Sequence, residues 1–175
     1  MRRISIGVAL VCALAAVAAN AQTDAGDGGK QVYERANCVG CHKWSGVGGG
    51  GYGGAALSLR ATELSYDDIV QIVTCGRPGT GMPHFTADPY RDGTCYGLKA
   101  DEVKDIMPPN ANVVLRPAEI DEVARYVVAN IKGKGEPSLS DCVAFFGDAS
   151  RVCDLYRPKT EGGRHAMPTP ATMVH

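Results

Sequence analysis

Two long segments of the chain carry apolar side chains at the spacing of an amphipathic helix. The first begins after Ser65, a residue type that caps helix N-termini, and stops at Gly76, a residue type that ends helices. Its apolar face consists of Tyr66, Ile69, Ile72 and Val73. The second covers residues 116–132, and Pro117 suits its first turn. Its apolar face consists of Ile120, Val123, Ala124, Val127 and Ile131, so each segment is predicted to bury one side.

Shorter helices are predicted on either side of these two. They cover residues 27–36, 100–106, 140–146 and 149–156. Pro108 and Pro109 stop the second of them, because proline cannot continue a helix. No stretch alternates apolar and polar residues over the length of a strand, so the fold is predicted to be mostly α.

The N-terminus has the layout of a secretory signal peptide. Arg2 and Arg3 form a basic head, residues 4–18 are an apolar run, and Ala19-Asn20-Ala21 is a small-residue cleavage pattern. The run is short for a bilayer-spanning helix of about 20 residues, and no charged stop follows it. We predict that residues 1–21 are removed. The mature protein is then periplasmic, in an oxidising compartment, with no permanent membrane span.

The composition bears on whether the protein binds nucleic acid and on how well its side chains can fill a core. Removal of Arg2 and Arg3 turns the net charge of −1 into −3. A protein that binds a polyanion is normally basic, so nucleic acid is not an expected partner. Aromatic residues make up only 6% of the chain, which also has 22 glycines. We therefore expect something besides side-chain packing to support the core.

The chemistry of the chain centres on Cys38-Val39-Gly40-Cys41-His42, the C-x-x-C-H pattern of covalent haem attachment. Thiols three residues apart project from one side of a helical turn and can reach both vinyl groups on one porphyrin edge. The histidine that follows is then the proximal iron ligand. A zinc site would need a second Cys or His pair, a thioredoxin-like pair would need a βαβ surround, and a structural disulfide would not need the histidine. We predict one haem c, bound covalently by Cys38 and Cys41 and ligated by His42.

Around this motif the chain resembles class I cytochrome c. Gly29 and Tyr33 precede the motif at the offsets of the family's glycine and aromatic residue. Residues 77–83 resemble the loop that presents the family's distal methionine, and residues 116–132 resemble its C-terminal helix, with Tyr126 in the aromatic position. The likeness covers residues 28–132. It implies a cytochrome c-like helical fold around one covalently bound haem.

The resemblance implies a methionine as the distal iron ligand, and two methionines compete for that role. Met82 lies in the loop that resembles the family's, and it is the ligand that we predict. Met107 also precedes a proline and is the runner-up. With Val103 and Ile106 it continues the apolar face of a short helix, an ordinary place for methionine. His84 is a third candidate, more simply explained as a polar residue at the rim of the haem crevice.

Residues 46–54 are rich in glycine and contain a formal G-x-G-x-x-G dinucleotide fingerprint. The run follows the haem motif rather than a strand, so we interpret this match as accidental. We predict a flexible connector that skirts the haem edge. Many relatives place a proline after the haem motif, and its carbonyl accepts the histidine N–H. No proline lies between His42 and Arg77, so the carbonyl that orients His42 stays open.

Four cysteines of the mature chain lie outside the haem motif, and two disulfides account for them in an oxidising compartment. Four thiols allow three pairings. We predict Cys75–Cys95 and Cys142–Cys153, because each pair closes a local loop of ordinary size. Extra metal ligands are the alternative reading, but the spacing does not favour them.

The predicted organisation has four parts. They are a signal peptide (1–21), a cytochrome c domain (22–135), a disulfide-clipped helical extension (136–157) and a disordered tail (158–175).

We expect a periplasmic electron carrier rather than an enzyme. The resemblance suggests a periplasmic dehydrogenase or a quinol-oxidising bc-type complex as electron donor and a terminal oxidase as acceptor. Two alternatives stay open. One is a haem c subunit of a stable dehydrogenase complex, and the other is a haem enzyme or small-gas sensor with a displaceable distal ligand.

Overall fold

The structure is a computed structural model that describes residues 20–51 and 54–158. The predicted signal peptide and the predicted disordered tail lie outside the described residues, apart from residues 20, 21 and 158. The chain divides into two compact units, one ending at Pro137 and the other beginning at Ser138.

Helices dominate the first unit, as predicted. In chain order it contains α1 (Asn20–Arg35), α2 (Cys38–His42), β1 (Gly49–Gly51), β2 (Gly54–Ala56), α3 (Tyr66–Cys75) and α4 (Pro117–Tyr126). A π-helical turn, Val127–Ile131, continues α4. The helix predicted over residues 100–106 is reduced to a single 3-10 turn, Lys104–Ile106. The two strands pair with each other, antiparallel.

The packing of α1 against α4 forms the centre of this unit. The helices meet at Gly29, where a Cβ atom would lie 2.6 Å from the Cβ of Tyr126 and closer still to the backbone oxygen of Glu122. The ring of Tyr33 packs beside that of Tyr126, with centroids 5.6 Å apart. Glycine and the two aromatic residues, which carry the resemblance to class I cytochrome c, therefore form one helix crossing.

The sequence signals at both ends of α3 are confirmed. The Ser65 hydroxyl accepts the backbone N–H of Asp68 at 3.2 Å, and the Asp68 carboxylate accepts the backbone N–H of Ser65 at 2.8 Å. This reciprocal capping box satisfies two N–H groups that a helix start leaves unpaired. Gly76 ends α3 with φ at 67°, a conformation that glycine adopts without steric cost.

The segment between α3 and α4 builds a small core of its own. Cys75, Tyr90, Cys95 and Val103 are all buried in it, and Leu98 packs against them. The sulfur atoms of Cys75 and Cys95 lie at disulfide distance, with Cα atoms 5.5 Å apart. The Tyr90 hydroxyl donates to the Cys75 carbonyl at 2.9 Å. The end of α3 therefore anchors this excursion of the chain.

Arg60 ties the segment after α4 to the segment after α2. Arg60 is only 6% exposed, and its guanidinium donates to four backbone carbonyls. They belong to Ser45 (3.1 Å), Lys134 (3.0 Å), Glu136 (3.2 Å) and Gly135. The planar fork of five N–H donors suits this role, because it satisfies several carbonyls from one side chain.

The second unit contains α5 (Leu139–Phe146) and a 3-10 helix, Arg151–Tyr156. Ser138 and Asp141 form a capping box at the start of α5. Cys142 and Cys153 are fully buried, and their sulfur atoms lie at disulfide distance, with Cα atoms 5.6 Å apart. The helix predicted over residues 149–156 is thus shorter than predicted, and it is a 3-10 helix, which is more tightly wound than an α-helix.

Across the part of the chain that the structure describes, no helix is both long and apolar enough to cross a membrane.

Candidate haem site

The haem-attachment motif forms a helix of its own. Asn37 adopts a left-handed conformation, with φ at 59°, so the chain turns between α1 and α2. The five residues of α2 then place Cys38 and Cys41 one turn apart, with His42 at the end. Gly40 lies between them beside the Asn37 side chain, whose Oδ1 would be 2.8 Å from a Cβ at position 40 and would have to shift to admit one. The local fold thus gives the arrangement that the sequence predicts for two thiols and one imidazole.

Both thiols are partly buried, and neither forms a disulfide among the described residues. Burial raises the pKa of the Cys38 thiol to about 12, and the neighbouring Cys41 adds to the rise. A raised pKa disfavours the Cys38 thiolate, which is the nucleophile of thiol–disulfide exchange. The residues that the structure describes contain no cluster of three or more metal-ligating side chains, so they provide no second ligand pair for a structural zinc site.

The carbonyl that orients His42 belongs to Leu57. Its oxygen lies 3.1 Å from His42 Nδ1, and because a carbonyl can only accept, the proton sits on Nδ1. The lone pair of Nε2 is then left for a metal. Burial lowers the pKa of His42, while the bond to Leu57 partly opposes that shift. A neutral imidazole with one fixed tautomer is the form that ligates haem iron.

Part of the glycine run, which the sequence predicts to be a flexible connector, forms two short paired strands, referred to below as the glycine hairpin. Gly49 pairs with Ala56 and Gly50 with Ala55 in an antiparallel register. The Lys43 ammonium donates to the Gly50 carbonyl at 2.9 Å and holds the first strand against the end of α2. Leu57 directly follows the second strand of this hairpin.

The loop that contains Met82 is closed by its own hydrogen bonds. The Arg77 N–H donates to the Met82 carbonyl at 3.1 Å, and the Met82 N–H donates to the Thr80 hydroxyl at 3.2 Å. The Gly79 N–H reaches the Ile106 carbonyl at 2.7 Å, which ties the loop to the 3-10 turn. The Met82 side chain is partly buried.

Met107 does not continue a buried apolar face. Val103 is fully buried, but Ile106 is 47% and Met107 39% exposed, because the predicted helix is replaced by a single 3-10 turn. Met107 instead lines a surface pocket that it shares with His84. His84 is 9% exposed and its Nδ1 lies 2.8 Å from the Thr86 carbonyl, so its ring is held by the protein backbone.

The donor set fits haem c. Two thiols share one helical turn, and the imidazole beside them has its Nδ1 fixed and its Nε2 available. Met82 lies on a separate loop, which is closed by its own hydrogen bonds. The Leu57 carbonyl completes the set, and the sequence did not point to it because every residue type has a carbonyl. The only hint was the missing proline.

Helical packing around a C-x-x-C-H turn with a carbonyl-oriented histidine is the arrangement that the resemblance to class I cytochrome c implies. The family model described as cytochrome C oxidase, cbb3-type, subunit III matches residues 24–100, less than half of the chain. This match confirms the resemblance to class I c-type cytochromes. No curated protein and no solved structure matches the chain.

Proposed function

We propose that this chain is an exported periplasmic protein that transfers single electrons through one covalently attached haem c. The observation that carries the proposal is the α2 turn, in which two thiols lie beside an imidazole whose Nδ1 is already bonded to Leu57. The cofactor supplies reversible one-electron chemistry when bound. The protein supplies attachment, orientation and a partly buried environment.

Cys38 and Cys41 hold the cofactor as thioethers in this proposal. Each thiol would add across one vinyl group, with an S–C bond formed in place of the S–H bond and the vinyl π bond. The hydrogen would move to the other vinyl carbon, so the attachment would consume no oxidant or reductant. His42 binds iron through Nε2 because Nδ1 donates to the backbone.

Met82 is the proposed distal ligand, with Met107 as runner-up. Met82 is partly buried on a loop that hydrogen bonds close, so the backbone that carries its side chain is already held in place. Met107 follows a single 3-10 turn and is 39% exposed. A Met/His pair raises the reduction potential and leaves no open position for substrate, which suits a carrier.

Haem staining on a denaturing gel tests the attachment. The exported parent protein should stain, and the double variant Cys38→Ala, Cys41→Ala should not. Staining that persists in the double variant would show that the haem is attached elsewhere or is not covalent.

Absorption spectra and redox titration test the distal ligand. Met82→Ala should remove the band from thioether to ferric iron and lower the reduction potential, while Met107→Leu should change neither. The reverse pattern would transfer the ligand to Met107. If both variants keep the parent's spectrum and potential, methionine ligation is wrong and His84 is the next residue to substitute.

The proposed electron donor is a periplasmic dehydrogenase or a bc-type complex, and the proposed acceptor is a terminal oxidase. A haem c subunit of a stable complex is the second candidate. The description of the matching family as an oxidase subunit favours it, as does a separate compact unit from Ser138 onward. We also propose that Cys75–Cys95 and Cys142–Cys153 close as disulfides after export. Purification of the native protein under mild conditions separates the candidates, because a stable stoichiometric partner would contradict the free carrier.

A further inference from the structure

We propose that Gly48 is a positioning residue for His42, because its lack of a side chain allows the glycine hairpin to hold the Leu57 carbonyl against the imidazole. The inference rests on the proposed haem function. It assigns a role to a stretch of sequence that otherwise looks like a spacer.

Gly48 contacts both partners of the His42–Leu57 hydrogen bond. Its backbone N–H donates to the His42 carbonyl at 3.1 Å. A Cβ atom at position 48 would lie 2.8 Å from both the carbonyl carbon and the oxygen of Leu57, and closer still to the oxygen of Ala56. Those atoms are backbone and cannot swing aside. Any side chain at position 48 must therefore displace the Leu57 carbonyl, which His42 Nδ1 reaches at 3.1 Å.

Leu57 is fixed on both sides along the chain. Before it, Ala56 pairs with Gly49 in the hairpin. After it, the Leu59 N–H donates to the Gly46 carbonyl at 2.7 Å. The oxygen of Leu57 can therefore move only if one of these backbone anchors moves. The two anchoring glycines, Gly46 and Gly49, lie on either side of Gly48 along the chain.

Gly97, in the segment between α3 and α4, provides a matched control. Gly48 and Gly97 both have φ at 73°, so alanine is strained at either position. A Cβ at Gly97, however, meets no atom within 4 Å. Gly97→Ala therefore introduces the same backbone strain outside the hairpin and its anchors, whereas Gly48→Ala introduces strain and displaces the carbonyl.

The hydrogen bond has a measurable electronic consequence. An N–H that donates from a ligating imidazole raises the basicity of the nitrogen bound to the metal, which stabilises the oxidised iron. A weaker bond to Leu57 should therefore raise the reduction potential. It should also speed exchange of the Nδ1 proton with solvent, by roughly tenfold if one ordinary hydrogen bond is lost.

The test compares the haem-loaded parent, Gly48→Ala and Gly97→Ala. Proton NMR of the reduced proteins gives the exchange rate of the His42 Nδ1 proton in D2O, and redox titration gives the potential. We expect faster exchange and a higher potential in Gly48→Ala, with Gly97→Ala close to the parent. Equal values in the two variants would overturn the inference.

A second variant covers the case in which Gly48→Ala does not fold. Lys43→Met removes the ammonium that holds Gly50, so the hairpin is loosened without any new side chain near Leu57. We expect the same two changes, smaller in size, and parent values in this variant would overturn the inference. A parent protein with no covalent haem would instead contradict the proposed function itself.

Discussion

Replacing Gly29 with alanine is expected to destabilise the protein, although alanine is the better helix former. An added Cβ would lie 2.6 Å from the Cβ of Tyr126, about 0.8 Å inside the 3.4 Å at which ordinary contact begins, and closer still to the Glu122 oxygen. The Glu122 oxygen belongs to the α4 backbone, and the Tyr126 Cβ is bonded directly to it. The helices would have to separate, because no rotamer change relieves the overlap.

The expected change in the free energy of unfolding of Gly29→Ala is the sum of two opposing effects. Alanine in place of glycine inside a helix stabilises by about 1 kcal/mol. Overpacking a tight interface costs typically about 1–3 kcal/mol, and backbone overlap belongs at the upper end. The net loss for Gly29→Ala is therefore about 2 kcal/mol.

Gly28 supplies the control for helix propensity. It precedes Gly29 in the same helix, and a Cβ there meets only the carboxylate of Glu122, at 3.3 Å. That carboxylate ends a flexible side chain and can move, so Gly28→Ala should gain up to about 1 kcal/mol. Urea unfolding of the haem-loaded proteins, followed by circular dichroism, measures both. If the two variants unfold within about 0.5 kcal/mol of each other, the close approach of α1 and α4 is refuted.

Three further outcomes are expected. The Arg116 guanidinium and backbone hold the pKa of Glu119 at about 2, below its value of about 4.5 in an unfolded chain. Its charge therefore stabilises the fold above about pH 4.5, and this contribution is lost as the pH falls towards 2. Glu119→Gln should accordingly unfold at lower urea than the parent at pH 7, with a gap that closes in acid. The double variant Cys75→Ser, Cys95→Ser should lose about 2–4 kcal/mol in urea unfolding, and reduction of the parent should reproduce much of that loss. Arg60→Leu leaves four carbonyls without a donor and should cost about 3 kcal/mol or more, whereas a value below about 1 kcal/mol would mean that solvent replaces the guanidinium.

Local signals in the sequence predicted the long helices well. Ser65 and Gly76 mark the two ends of α3. The N-cap depends on a side-chain hydroxyl and the C-terminal stop on a residue that tolerates positive φ, and each property can be read from the residue type alone. The helix predicted over residues 100–106 failed for a tertiary reason. Burial of Val103 in the core around Cys75 and Tyr90 keeps only one 3-10 turn in that segment.

The candidate site likewise has parts that the sequence predicts and parts that it does not. The Cys and His residues of α2 were predictable because haem attachment requires those side chains at that spacing. The hairpin and the Leu57 carbonyl were not, because backbone pairing between glycine and alanine residues leaves no trace in the side-chain pattern. Met107 was misjudged for a related reason, since its exposure depends on a turn that ends one residue earlier.

The π-helical turn after α4 has a consequence for the phase of the last helix. Its closing bond runs from the Lys132 N–H to the Val127 carbonyl at 2.8 Å, five residues back instead of four. One extra residue in a turn rotates all following side chains by roughly 100° relative to a continuous α-helix. In this rotated phase Ile131 is buried against Gly46, where even a Cβ would overlap its methyl group. A one-residue deletion within Val127–Ile131 would therefore give an ordinary α-helical turn and keep Ile131 facing the segment that leads into the hairpin, whereas α-helical bonding in the full-length chain would turn Ile131 away.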